Sequence, residues 1–209
     1  ILNRADVKGT FFVSGALAER APVQVRALAE AGHEITAHGY AQDLIPSTLS
    51  DADDLAMIRK TTELLTEVSG ARPKGWISPR ATAGPATIER LAQTGYLWHG
   101  DTLDADLPYL QKFGDSRIVA VPFSVDINDL PHAMRYGRTP RQYVEMFDEF
   151  VDHALKNDDD PVIIDVLVHT HCYGRPGGAW AYQELVEKCA QRDDIWVTTR
   201  GEIAEWFLG

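Results

Sequence analysis

The chain has 209 residues, 44% of them hydrophobic, and 20 Lys and Arg against 31 Asp and Glu give a formal charge of −11. That length fits one domain, residues 1–209, with a sizeable core, and so acidic a chain has no general basic surface for a nucleic-acid backbone. No apolar run reaches the roughly 20 residues of a membrane span, and Cys172 and Cys189 stand in no C-x-x-C or zinc-ribbon spacing, so they read as free thiols and the expected compartment is the reducing cytoplasm.

The segment Ile1-Leu2-Asn3-Arg4 has no initiator Met and reads as the end of a helix. Residues 9–13 (GTFFV), β-branched and aromatic, predict a buried strand. Residues 22–31 predict a helix with Pro22 in its first turn and Gly32 just past its end, and residues 34–37 a second strand. Ser50 caps a long helix in which Leu55, Ile58, Thr62, Leu65 and Val68 share one face until Gly70 stops it. Residues 75–78 predict a strand, 85–93 a helix closed by Gly95, and 97–100 and 118–121 two further strands. Thr139 and Pro140 make an N-cap with Pro at the first helical position, opening a helix to about Lys156. Residues 162–168 (VIIDVLV) predict the most hydrophobic strand, 179–191 a helix, 195–198 a strand and 201–207 a last helix.

Strands alternating with helices imply a parallel sheet joined by right-handed crossovers. A strand as apolar as 162–168 is expected to be covered on both faces. A (β/α) barrel is preferred over an open doubly wound sheet, because polar clusters follow several strands at the ends where barrel active sites form.

Those clusters hold the candidate chemistry. His38 ends a strand before Gly39, where a ligand or metal can approach the backbone. Gln42, four residues on, faces the same point if the chain turns helical, and offers a neutral oxygen, a weaker zinc ligand than His. His33 precedes its strand and is read as structural. Trp76 and Arg80 follow the next strand. Asp101, Asp104 and Asp106 crowd one loop, where a metal, an Arg or a substrate N–H group would relieve their repulsion. His169 and His171 are two apart, so in an extended strand they point the same way. Arg175 and Arg80 suit a carboxylate or a polar carbonyl. The reading requires His38 and His169 to serve one pocket at one end of a ring of strands.

These residues also carry a family likeness. Residues 7–13 (VKGTFFV) and 32–38 (GHEITAH) resemble the strand and the G-H-E-I-x-x-H segment of polysaccharide deacetylases, the NodB-type carbohydrate esterases of family 4. The resemblance spans nearly the whole chain and implies a distorted (β/α) barrel. In that family an Asp after the first strand and two His of an H-x-x-x-H segment hold a divalent metal, a second Asp is the base, and a His near the last long strand is the acid. Carried over, His38 matches the first metal His and His169 the acid. Gln42 stands in place of the second metal His, and Ile77 in place of the Arg of the R-x-P segment. The first-strand Asp pair has no counterpart, so the first strand is expected to be absent from this chain and supplied by a longer protein or a separate chain.

A closer resemblance is to the branch with metal-independent allantoinases and cyclic-imide hydrolases. Its segments are similar to residues 75–82 (GWISPRAT), 101–109 (DTLDADLPY), 121–129 (VPFSVDIND) and 169–176 (HTHCYGRP). The resemblance implies a homo-oligomer and a hydrolase of non-peptide carbon–nitrogen bonds, acting on a small linear or cyclic amide, imide or ureide. Two alternatives are a metal-dependent carbohydrate N-deacetylase and an inactive binding homologue. Amide hydrolysis needs an activated water, a stabilised oxyanion and a proton for the leaving nitrogen. His169, His171 and Asp101 are the expected catalytic residues, with Trp76, Arg80, Asp104, Asp106 and Arg175 binding substrate. His38 and Gln42 would hold a divalent metal, zinc first; without one, His38 is an oxyanion donor. Metal-assisted and metal-free chemistry both stay open, and no organic cofactor is expected.

Overall fold

The computed structural model describes residues 1–156 and 161–209. In chain order it comprises β1 (Thr10–Val13), α1 (Gly15–Arg20), α2 (Pro22–Glu30), β2 (Glu34–Ala37), α3 (Asp51–Ser69), β3 (Gly75–Trp76), α4 (Thr87–Gln93), β4 (Trp98–His99), β5 (Tyr109–Phe113), β6 (Ser116–Ala120), α5 (Asp129–Met134), α6 (Pro140–Ala154), α7 (Ala179–Ala190) and α8 (Arg200–Leu208). These divide into two compact units. One is Lys8–Pro122 with Thr198–Gly209; the other is Ile1–Val7 with Phe123–Val197. None of the described helices is long and apolar enough to cross a membrane.

The first unit holds a six-stranded sheet in the order β1-β2-β3-β4-β6-β5. β1, β2, β3, β4 and β6 run parallel, as the alternating order of strands and helices requires. β5 departs from that expectation by pairing antiparallel with β6, Tyr109 opposite Ala120 and Phe113 opposite Ser116. The signal for it lies in Gly114-Asp115, a two-residue hairpin loop whose Gly takes φ +60.

α3 begins and ends where its caps predict. Ser50 accepts the Asp53 amide at 3.2 Å, and Gly70 closes the helix in the left-handed region. Ile58, Thr62, Leu65 and Val68 are buried along its inner face, while Leu55 is half-buried. That face packs with Trp76, Leu91, Tyr96 and Ile118 in the unit's main core. β3 and β4 lie close because Gly75 has no side chain: a Cβ there would meet the Trp98 ring at 2.1 Å. Glu34 ties the strands together, accepting from Trp98 Nε1 at 3.0 Å, Thr10 Oγ1 at 2.7 Å and the Gly201 amide at 3.0 Å.

In the second unit α6 opens with a capping box between Thr139 and Gln142. Its Tyr143, Val144, Phe147 and Val151 form a core with Ala181 and Leu185 of α7. The strand expected at 162–168 is corrected: the segment makes one parallel bridge, Asn128 to Leu167, in place of a ladder. Ile164, Val166 and Val168 pack against the helices, while 163–169 stay half-exposed. It is a one-sided extended segment, and apolar residues on its outer side disguise the alternation that marks such strands. Residues 195–198 likewise form no regular strand.

Candidate active site

The strongest polar constellation in the second unit is built on the first turn of α5. Asn128 caps that helix by accepting the Leu130 amide, and the next residue, Asp129, is fully buried. Its carboxylate accepts three hydrogen bonds. His169 Nδ1 donates to Oδ1 at 2.6 Å, and the amides of His169 and Tyr173 donate to Oδ2, each at 2.9 Å. A carboxylate only accepts, so the proton sits on Nδ1 and the lone pair of neutral His169 is on Nε2. Tyr143 helps set this geometry by donating its hydroxyl to Leu167 O at 2.7 Å, two residues before His169.

After His169 the chain turns instead of continuing extended. The amides of Cys172 and Gly174 both donate to His169 O at 2.9 Å. Any Cβ at residue 174 would meet Thr170 Cα at 2.6 Å, so the turn requires glycine. The strand argument for His171 therefore fails, yet the turn still brings its ring within 5.6 Å of His169. His171 and Arg175 are exposed.

In the first unit, His38 follows β2 and donates from Nδ1 to Ile77 O at 2.8 Å, since a carbonyl can only accept. Gly39 takes φ +62 beside Pro79, whose ring would lie 2.8 Å from a Cβ at this position. The Ile77 carbonyl thus holds the His38 proton on Nδ1 and fixes the ring beside the loop after β3. Gln42 donates its amide nitrogen to His38 O at 3.3 Å. Among the described residues, no group of three His, Cys, Asp or Glu is arranged to hold a metal ion. Among those residues one imidazole and one neutral amide, His38 and Gln42, fall short of the three or four ligands zinc takes.

Trp76 is corrected from substrate contact to support. It is fully buried, edge-on to Tyr96, and its indole donates to Ser78 Oγ at 3.0 Å. Ser78 in turn donates to Asp101 from its amide at 2.7 Å and from its hydroxyl at 2.5 Å. Both Asp101 oxygens thus accept from Ser78, which ties half-buried Asp101 to the loop after β3. Neighbouring His99 is buried and neutral, its pKa lowered to about 4 by desolvation, with Nε2 bonded to Gln111 at 2.9 Å.

Asp104 and Asp106 are exposed. Asp104 accepts from Thr102 and Tyr109, which hold it below the usual carboxylate range. Arg80 is exposed, and it and Ala81 take left-handed φ of 59 and 51. Such strained non-glycine pairs cluster at ligand sites. Asp129 and Ser78 are members of these hydrogen-bonded clusters to which the sequence assigned no role. Asp129 lay inside the 121–129 segment without a role, and its partner is 40 residues away.

Burial pushes the Asp101 carboxyl up from 3.8 to about 6, against the opposing pull of the Ser78 bonds. A raised carboxyl pKa means the fold favours the neutral acid. That stabilisation is full below about pH 4 and lost as pH rises through about 6. Asp101→Asn cannot ionise, so between pH 4 and 7.5 its stability relative to wild type should rise by about 2–3 kcal/mol. Urea unfolding of both proteins at the two pH values measures this; a pH-independent difference would contradict it.

A Mycobacterium smegmatis chain of known structure, assigned to the polysaccharide deacetylases, is 31% identical, with a TM-score of 0.85 over 98% of this chain and 73% of that one. The chain belongs to the polysaccharide deacetylase family. The family's sequence model matches residues 1–98. Within the family, a probable polysaccharide deacetylase from Pseudomonas aeruginosa PAO1 is 26% identical, with a TM-score of 0.89 over 98% of this chain and 69% of that one. The fold class is accordingly the NodB-type (β/α) barrel. The Puue allantoinase is 28% identical, with a TM-score of 0.85 over 98% of this chain and 68% of that one. A peptidoglycan deacetylase from Helicobacter pylori is 22% identical over 100% of this chain and 81% of that protein. As a polysaccharide deacetylase family member, the chain is a hydrolase of amide carbon–nitrogen bonds.

Proposed function

We propose that the chain hydrolyses an amide by protonating its leaving nitrogen from His169, with an N-acetylated amino sugar as the first substrate class. The observation that carries this is the buried Asp129 carboxylate bonded to His169 Nδ1 at 2.6 Å. An amide collapses only when its nitrogen leaves as a neutral amine, so a positioned acid is essential. Asp129 fixes the ring and its tautomer, and its charge faces the imidazolium from which Nε2–H delivers the proton. In this reading His171, exposed with its ring 5.6 Å from that of His169, and exposed Arg175 contact substrate polar groups.

The deacetylase names of the relatives support the sugar substrate. The likeness to the allantoinase and the four segments shared with that branch support a second reading, a small ureide or cyclic imide. The test offers the protein N-acetylglucosamine oligomers, allantoin, hydantoin and succinimide, with and without added zinc. Acetate release from the oligomers is the expected result. Ring opening or ureide cleavage without acetate release would move the assignment to the second reading. Binding without turnover of any of them would overturn both in favour of an inactive homologue.

A further inference from the structure

We propose that Tyr143 is a positioning residue that sets the separation of Asp129 and His169 by clamping both of the segments that carry them. This rests on the reading that His169 is the proton donor. The Tyr143 hydroxyl lies 2.7 Å from Leu167 O and 3.2 Å from Ile127 O. Leu167 stands two residues before His169, and Ile127 two residues before Asp129. One hydroxyl therefore holds each arm of the pair at the same remove from its functional side chain.

The two segments have little else to fix their spacing. Among the described residues their backbones share one parallel bridge, in which the Leu167 amide donates to Ile127 O at 2.9 Å and the Asp129 amide to Leu167 O at 3.3 Å. A single bridge does not restrain the twist of two chains as a ladder does. The Tyr143 hydroxyl adds a third tie on the same two carbonyls: its proton points to the nearer, Leu167 O, with Ile127 O as the second acceptor. The 2.6 Å bond from His169 Nδ1 to Asp129 follows directly along both segments, so a relative shift of the two changes it first.

Tyr143 is itself well held. It lies in the first turn of α6, behind the Thr139 capping box, and its amide donates to Thr139 O at 3.2 Å. Its ring is fully buried, edge-on to Tyr173 at 5.5 Å, and the Tyr173 amide donates to Asp129 Oδ2. Burial, and after it the Asp129 charge, push the hydroxyl above its usual range, so it stays a donor.

The competing role is a core hydroxyl that only satisfies two carbonyls. Tyr143→Phe removes the hydroxyl and keeps the ring. Val151→Ala, in the same core and about 12 Å further along α6, loosens the packing without touching either carbonyl. The measurement is the Nδ1–H proton resonance of His169 in 15N-labelled protein, together with kcat, KM and thermal unfolding. In Tyr143→Phe the resonance should move upfield, and kcat should fall about 10–100-fold with KM nearly unchanged, as a small misplacement of reacting groups does. Val151→Ala should lose stability and leave the resonance and kcat near those of wild type. In the wild type the Tyr143 hydroxyl proton should exchange slowly enough to give its own resonance; rapid exchange with solvent overturns the proposal even if Tyr143→Phe does not fold. A His169 resonance unmoved in Tyr143→Phe, one moved as far in Val151→Ala, or an unchanged kcat in Tyr143→Phe also overturns it. If the resonances behave as expected but the wild type cleaves no amide, the clamp stands and the proposed function falls.

Discussion

His169→Ala should lower kcat/KM for an unactivated amide by about 10²–10⁴-fold, the usual worth of a positioned proton donor. The fold should survive, because the His169 side chain is 31% exposed and its loss leaves Asp129 bonded to two backbone amides. Steady-state kinetics combined with thermal unfolding checks both halves. The drop should lie in kcat, since protonation of the leaving nitrogen belongs to the transition state and not to substrate binding. A variant within a few-fold of wild type would remove His169 from the chemistry.

Asp129→Asn is the second large effect, and it reaches stability as well as rate. Three N–H groups converge on the carboxylate. An Asn side chain turns an NH₂ toward at least one of them. If the NH₂ faces His169, the ring is relieved only by shifting its proton to Nε2, the wrong tautomer for taking up a proton there. Activity should fall about 10²–10⁴-fold. Loss of hydrogen bonds to a buried charged acceptor should cost about 1.5–3 kcal/mol in denaturant unfolding. Full activity in a variant this destabilised would show that His169 needs no orienting carboxylate.

Much of the frame was legible because local signals and burial agree. Residues 10–13 and 34–37 form strands of a parallel pair, in keeping with the expected parallel sheet, and Ser50, Gly70 and Thr139 set helix ends by chemistry that acts within a few residues. The failures share a cause: pairing that composition does not encode. Residues 162–168 are as apolar as a central strand, but apolarity does not say which edges find partners, and only Leu167 joins a bridge. Trp76 was read as binding substrate from its place in the cluster after a strand, while its own ring fills the core. His169 stood out in the 169–176 segment, but the turn that Gly174 permits did not, because the segment was read as extended. The carboxylate that makes His169 chemically useful was not, because it approaches across 40 residues of chain.

The central claim is that His169 Nε2 delivers the proton that releases the amine, and leaving-group dependence tests it most directly. Wild type and His169→Ala are compared on an N-acetylated amino sugar, whose amine must be protonated to leave, and on an N-acetyl-4-nitroanilide, whose weakly basic nitrogen departs with little help. The account predicts a loss of about 10²–10⁴-fold on the first substrate and only a small loss on the second. Equal losses on both, or none on either, would contradict it.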